Sequence, residues 1–233
     1  MSASTARDLS ITVDRGLAQK VSSVHGANPV FLIEKITRER ILDCIYWKKD
    51  CYHLNILTLL DQAVDLRLIG TYSNMNKTKP TKFICLLLKL LQLQPPEDIL
   101  LHLLNQTQFK YLTALIALYI RMTFDSVKVY SLLEKFYEDR RKLIYKDNLT
   151  PDAKILYMDE YIDNLLSPQN KFADLILPRL VNRQQLEDNE LIEPRISSIQ
   201  SEFEDMLSDN DSDSDSNSDS NSDSDNEIEN HND

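Results

Sequence analysis

The sequence predicts an all-α protein: a single compact multi-helix domain of about eight to ten helices, followed by a disordered acidic C-terminal tail. Three observations carry that expectation. Apolar residues recur at three- and four-residue spacings along most of the chain, the period of helices that bury one face. Glycine occurs only at Gly16, Gly26 and Gly70, so hairpin turns and phosphate-cradling loops have little to build on. The composition then changes abruptly, and from Ser208 to Asn226 every residue is Ser, Asp or Asn.

The elements follow in order. Residues 1–22 have no sustained period and read as a flexible lead-in. Asn28-Pro29 marks the first helix start, with Asn as N-cap and Pro at the first helical position. Phe31, Leu32, Ile36 and Ile41 are expected on its buried side, with Glu34, Lys35, Arg38 and Glu39 outside. Asn55 opens a second helix with a stripe of Ile56, Leu59, Leu60, Ala63 and Val64. Gly70 to Thr81 has turn residues and no period, and is the longest expected loop in the body.

Lys82–Leu93 is apolar almost all round and is expected at the centre. Pro95-Pro96 stops it, and Glu97 and Asp98 favour the N-terminus of the next helix, which carries Ile99, Leu100, Leu103 and Leu104. Phe109–Met122 is a second long apolar helix. Another is expected from an Asp125 cap to about Leu143, one within Asp152–Leu166, one within Phe172–Leu186 interrupted at Pro178, and a last surface helix over Ile196–Leu207. No strand is expected. The body is drawn at residues 23–200 and the tail at 201–233.

The formal charge of −11 belongs to the tail. Residues 201–233 hold 13 acidic and no basic side chains, which leaves 26 basic against 24 acidic in residues 1–200. A nearly neutral body argues against a purely electrostatic grip on nucleic acid. Ser208, Ser212, Ser216, Ser220, Ser222 and Ser224 each have an acidic residue three positions on, the pattern acidophilic kinases prefer. The odd set Cys44, Cys51 and Cys85, with no apolar signal core between Met1 and Lys20, favours free thiols in a reducing compartment. The most apolar runs are about half the length of a membrane span, so no membrane role is expected.

Catalytic chemistry has no visible foothold. Cys44, Cys51 and His53 form the best metal cluster, but the Cys spacing is unlike that of structural zinc sites and a fourth ligand is lacking. The thiols and Trp47 are expected in the core instead. No His-Glu-x-x-His, Gly-x-Ser-x-Gly or Gly-rich phosphate motif occurs. No cofactor and no small-molecule substrate are expected. Basic clusters at Lys77–Lys82, Asp139–Lys142 and Arg179 with Arg183 leave direct RNA binding as the alternative reading.

Eight strings in order, VHGANPVFLIEKITRERI, YWKKDCY, KFICLLLKLLQLQP, FKYLTALIALYIRMT, LEKFYEDRRKL, MDEYIDNLL, ILPRL and IEPR, resemble the pre-mRNA-splicing factor 38 family and cover nearly the whole body. The resemblance implies a nuclear, non-enzymatic helical protein of the spliceosome. It implies association at the tri-snRNP stage and a need for it in maturation to a catalytically active particle. The partners it implies are tri-snRNP components, an elongated helical splicing protein and a zinc-finger splicing protein, with RNA nearby in the assembly. Polar residues inside the matching strings, Arg140, Arg141, Arg179, Arg183, Glu193 and Arg195, are the expected partner contacts. The loop GTYSNMNKTKPT departs from the family in lacking a Gly-Gly after its Tyr.

Overall fold

A helix with no polar face cannot rest on a surface, and two such helices organise the chain. The computed structural model describes residues 21–147, 150, 152–195 and 199. Contacts divide the chain between Ile192 and Glu193, and the architecture below is that of the first unit. Its α-helices are α1 (Lys35–Asp43), α2 (Ile56–Val64), α3 (Lys82–Leu93), α4 (Glu97–Leu104), α5 (Lys110–Thr123), α6 (Ser126–Leu133), α7 (Met158–Leu166) and α8 (Arg183–Asp188). Short 3-10 turns at Pro29–Leu32 and Glu134–Glu138, a π-helical turn at Trp47–Cys51 and two small antiparallel hairpins complete the described elements. The chain is thus mostly α-helical, as its composition indicates, with a minor sheet component. No helix among the described residues is long and apolar enough to cross a membrane.

Every residue from Phe83 to Leu91 in α3 and from Tyr111 to Met122 in α5 is buried. Helix α5 touches α2, α3, α4, α6 and α7, while α3 takes the 3-10 turn, α1, the π-turn and α2 on its other sides. Helix starts fall where their caps place them. Asn55 and Thr58 form a capping box, the Thr81 hydroxyl accepts the Ile84 N–H, and α4 begins directly after Pro96. The Asn55 and Thr81 side chains satisfy donors that the first helical turn would otherwise leave open.

The largest polar side chain in this core is a guanidinium. Arg121, 1% exposed, donates from Nε to the Leu165 carbonyl at 2.7 Å, from Nη1 to Pro178 O at 2.9 Å and from Nη2 to Asn170 Oδ1 at 2.9 Å. The guanidinium thereby ties α5 to the end of α7 and to the chain beyond it. Burial pulls its pKa down only to about 10, so the group remains charged at neutral pH.

Several expectations from the sequence fail, each for a physical reason. The first helix does not run on from Pro29: the 3-10 turn ends at Leu32 and α1 starts afresh at Lys35. That break rotates the faces. Phe31 and Ile36 are exposed, while Arg38 is 8% exposed and donates to the carbonyls of Val30 and Ile33. The stripe on α2 narrows to Leu59 and Ala63, and Val64 is 41% exposed.

The α6 helix stops ten residues before Leu143, at Leu133. Lys142–Lys146 forms β1, which pairs antiparallel with β2 (Ala153–Tyr157) in the register Ile144↔Ile155. Ile144, Tyr145, Ile155 and Tyr157 are β-branched or aromatic and suit strands, and β1 is clamped on its other edge. Ile69 donates to Ile144 O and accepts from Lys146 N, both at 2.8 Å. Gly70 follows at φ +143, where an added Cβ would lie 2.5 Å from Lys146 O. Helix α7 begins only at Met158, after Glu160 accepts the Tyr157 N–H.

The stretch Phe172–Leu186 is not one interrupted helix. β3 (Lys171–Phe172) and β4 (Leu175–Ile176) form a tight hairpin through Ala173 at φ 51, and α8 starts only after the Asn182 cap. The expected helix over Ile196–Leu207 falls, apart from Ile199, outside the described residues, as does the acidic tail.

Replacing Arg121 by Leu removes three charge-assisted donors and strands their acceptors, so it should lower unfolding free energy by about 3 kcal/mol or more in urea denaturation. An unchanged midpoint would contradict this role.

Candidate partner interface

The sequence singled out the segment after α6, and the structure shows how it is held. The Asp139 carboxylate accepts from the Arg141 backbone N–H at 3.0 Å and from Arg141 Nε at 2.9 and 2.8 Å. Arg141 Nη1 also donates to Thr107 O at 2.6 Å. Burial alone would raise the Asp139 carboxyl, but the bonds from Arg141 outweigh it and hold the group below its ordinary value. This knot turns the chain from the Glu134–Glu138 turn into β1. Arg140 points the other way: its side chain is 77% exposed, and Nη1 reaches Asp159 Oδ2 at 2.8 Å.

Beyond the knot, the outer face of the β1–β2 hairpin is apolar. Ile144 and Ile155 lie opposite each other, at 44% and 65% exposed. The adjacent pair places Lys142 Nζ 5.8 Å from the centre of the Tyr157 ring. Arg140, this cation–aromatic pair and the two isoleucines therefore share one neighbourhood of the surface. Cross-strand pairing positions the isoleucines, and strand alternation sends Leu143 inward to the core. One helix is expected to end near Leu143 and the next to lie within Asp152–Leu166, which leaves no strand pair expected here. The run Leu-Ile-Tyr between two lysines is too short for periodicity to tell strand from helix.

The remaining expected contacts are placed differently. Arg183 is largely enclosed and bonded to Glu134, with Nε donating at 2.6 Å, and it pairs with Glu187 one turn on. Arg179 is exposed and lines a groove of about 330 Å³ with Phe124, Val127, Leu180 and Val181. Glu193 and Arg195 are exposed and lie past the division of the chain. The six tail serines lie outside the described residues.

A second groove, of about 440 Å³, collects Arg67, Lys79 and Lys82 from separate stretches of chain, with Asp65 beside them. The sequence showed the cluster Lys77–Lys82 but not its meeting with Arg67, which depends on how the chain leaves α2.

Trp47 is 4% exposed and Cys51 is fully buried, so both are framework. Tyr52 is exposed, contrary to a core placement for the whole aromatic segment. Cys44 is only partly buried and meets Cys85, with sulfurs 3.8 Å apart. Among the described residues, no three His, Cys, Asp or Glu side chains are grouped to hold a metal.

Residues 22–190 match the model of the PRP38 family. Pre-mRNA-splicing factor 38 of Drosophila melanogaster is 44% identical over 189 residues, covering 81% of this chain and 56% of that protein. Human pre-mRNA-splicing factor 38A is 41% identical over 186 residues, covering 80% and 59%. The match thus spans less than two thirds of the length of these relatives. A chain in the crystal structure of the Snu23–Prp38–MFAP1(217–258) complex of Chaetomium thermophilum is 40% identical. It superposes with a TM-score of 0.71 over 84% of this chain and 97% of that one.

The knot at Asp139 has a pH signature. A carboxyl lowered in the folded state stabilises fully above about pH 4, and that stabilisation is lost as pH falls through the lowered value. Arg141→Gln should therefore lower the urea midpoint at pH 7, and the gap from wild type should shrink at pH 3. A gap that widened at pH 3 would rule out this linkage.

Proposed function

The chain belongs to the PRP38 family, and on that premise we propose that it is a non-enzymatic pre-mRNA-splicing factor. It acts as a protein-interaction scaffold of the nuclear spliceosome, associated with the tri-snRNP and needed for maturation toward catalytic activation. The single observation that carries this reading is its likeness to a chain crystallised within an assembly of splicing proteins, at 40% identity and a TM-score of 0.71. By that likeness, its partners are the counterparts of Snu23 and MFAP1.

The physical basis of docking is a rigid frame with a few exposed anchors. Arg141 and Arg183 are occupied by bonds that shape the chain, so their contribution to a partner runs through the surface they hold in place. Arg140 and Arg179 present exposed guanidinium groups beside apolar side chains, a combination that suits protein contacts. Glu193 and Arg195 extend the same proposal past α8. Residues 23–200 form the docking body, and residues 201–233 contribute charge and regulation through the six serines rather than assembly.

Affinity-tagged full-length chain in a splicing extract should recover spliceosomal proteins. The double change Arg140→Glu and Arg179→Glu should cut that recovery by about tenfold with unchanged circular dichroism and melting temperature. A folded wild-type chain that recovers no spliceosomal protein would end the scaffold reading.

A second reading, direct contact with RNA phosphates, is favoured by the convergence of Arg67, Lys79 and Lys82 on one groove. If each neutralises one phosphate of a single strand, log affinity should fall against log salt with a slope of about −2. A slope near zero removes this reading and leaves the scaffold reading intact.

A further inference from the structure

Neither reading of the function uses the cysteines, yet two of them are held in an arrangement that packing alone does not require. Cys44 ends α1 and Cys85 lies in the first turns of α3, 41 positions apart in the chain, with their sulfurs 3.8 Å from each other. Both are free thiols. A disulfide places its sulfurs about 2 Å apart, so closure asks a shift of under about 2 Å from two side chains already in contact.

The two thiols are not equivalent. Cys44 is only partly buried, and its sulfur accepts the Trp47 backbone N–H at 3.3 Å where the chain enters the π-turn. The hydrogen bond with Cys85 is the largest influence lowering the Cys44 pKa, to about 6. Burial opposes that shift, and the Trp47 and Tyr46 N–H groups and Lys48 add to it. Cys85 is fully enclosed in α3, and the same hydrogen bond, with burial, holds its thiol far above the ordinary value. Cys51 is buried as well, and burial pushes it up to about 12. Cys44 is thus the more exposed sulfur and the one whose thiolate form is favoured, Cys85 in contact with it is favoured as the thiol, and Cys51 is buried.

We propose that Cys44 and Cys85 are a peroxide-responsive dithiol, with Cys44 the reactive thiolate and Cys85 the thiol that resolves it into a reversible disulfide. The Cys44 thiolate attacks one oxygen of hydrogen peroxide. The O–O bond breaks, an S–O bond forms, and the departing hydroxide takes a proton from solvent to become water. Sulfur loses two electrons and peroxide gains them. The Cys85 sulfur then attacks the Cys44 sulfur. The S–S bond forms as the S–O bond breaks, and the hydroxide leaves as water with the Cys85 proton. In sum, two thiols and one hydrogen peroxide give one disulfide and two waters. A dithiol reductant reverses the bond by exchange. The disulfide fastens the end of α1, and with it the start of the Trp47–Cys51 turn, covalently to the central helix.

The test uses reduced full-length protein at pH 7, treated with equimolar hydrogen peroxide and digested without reductant. Mass spectrometry should find a Cys44–Cys85 linked peptide with a loss of about 2 Da. Cys51→Ser should leave its yield within about twofold, while Cys44→Ser should lower it at least about tenfold. In Cys85→Ser, dimedone should trap a sulfenic acid at Cys44. Folded wild-type protein decides the matter even if a variant fails to fold. The proposal is overturned if Cys44 passes to higher oxides without linking to Cys85. Preferential oxidation of Cys51, or of neither Cys44 nor Cys85, overturns it equally.

Discussion

Enclosing α3 and α5 is the constraint on which the rest of the structure depends. Neither helix has a face that water could cover without loss, because burial removes apolar area at roughly 25 cal/mol per Å² and exposure returns that cost. Whatever surrounds them must therefore close on every side. The enclosing elements need not be alike. α1, α2, α4, α6 and α7 serve as walls, and the gap between α6 and α7 is spanned by a hairpin. Arg121 is a charged tie through this interior, and it is tolerated because each of its three bonds finds a fixed acceptor.

The same constraint explains what could be read from the sequence. Residues that are apolar all round announce a central helix without reference to anything else, so Lys82–Leu93 and Phe109–Met122 were legible. Start signals are equally local, and Asn55, Glu97 with Asp98, and Asp125 marked true starts. The strands 142–146 and 153–157 were not legible as strands because each is short and rich in residues that also suit helices. What selects the extended form is the clamp from Ile69, more than 70 positions upstream of β1. Arg38 misled for a related reason. A long cationic side chain reads as solvent-facing, but it is buried here because the break after Leu32 leaves two carbonyls within its reach.

The residues proposed as partner contacts divide into two kinds. Arg140 and Arg179 are exposed, as residues offered to a partner need to be, while Arg141 and Arg183 are absorbed into bonds that shape the surface. Sequence spacing cannot separate these roles, because the difference lies in which carboxylate the fold brings alongside. Asp139 is two positions from Arg141, whereas Glu134 reaches Arg183 across 49 positions. The Cys44–Cys85 meeting belongs to the same class, since it exists only because α1 lies against α3.

The π-turn at Trp47–Cys51 has a consequence for how this chain can vary in length. Its bond from Tyr52 N to Trp47 O spans five residues rather than four, so the turn accommodates one residue more than an α-turn would. Losing a residue there would let the segment relax into an ordinary helix and swing everything after it by about 100°. Leu54 would turn away from the core, and the helix that Asn55 caps would start from a displaced position. Drift by insertion or deletion should therefore be rare at this turn and common in the polar stretch Ser73–Lys79, where Asn74 already closes a self-contained loop. A single extra residue thus acts as a gauge of chain length for the whole N-terminal wall.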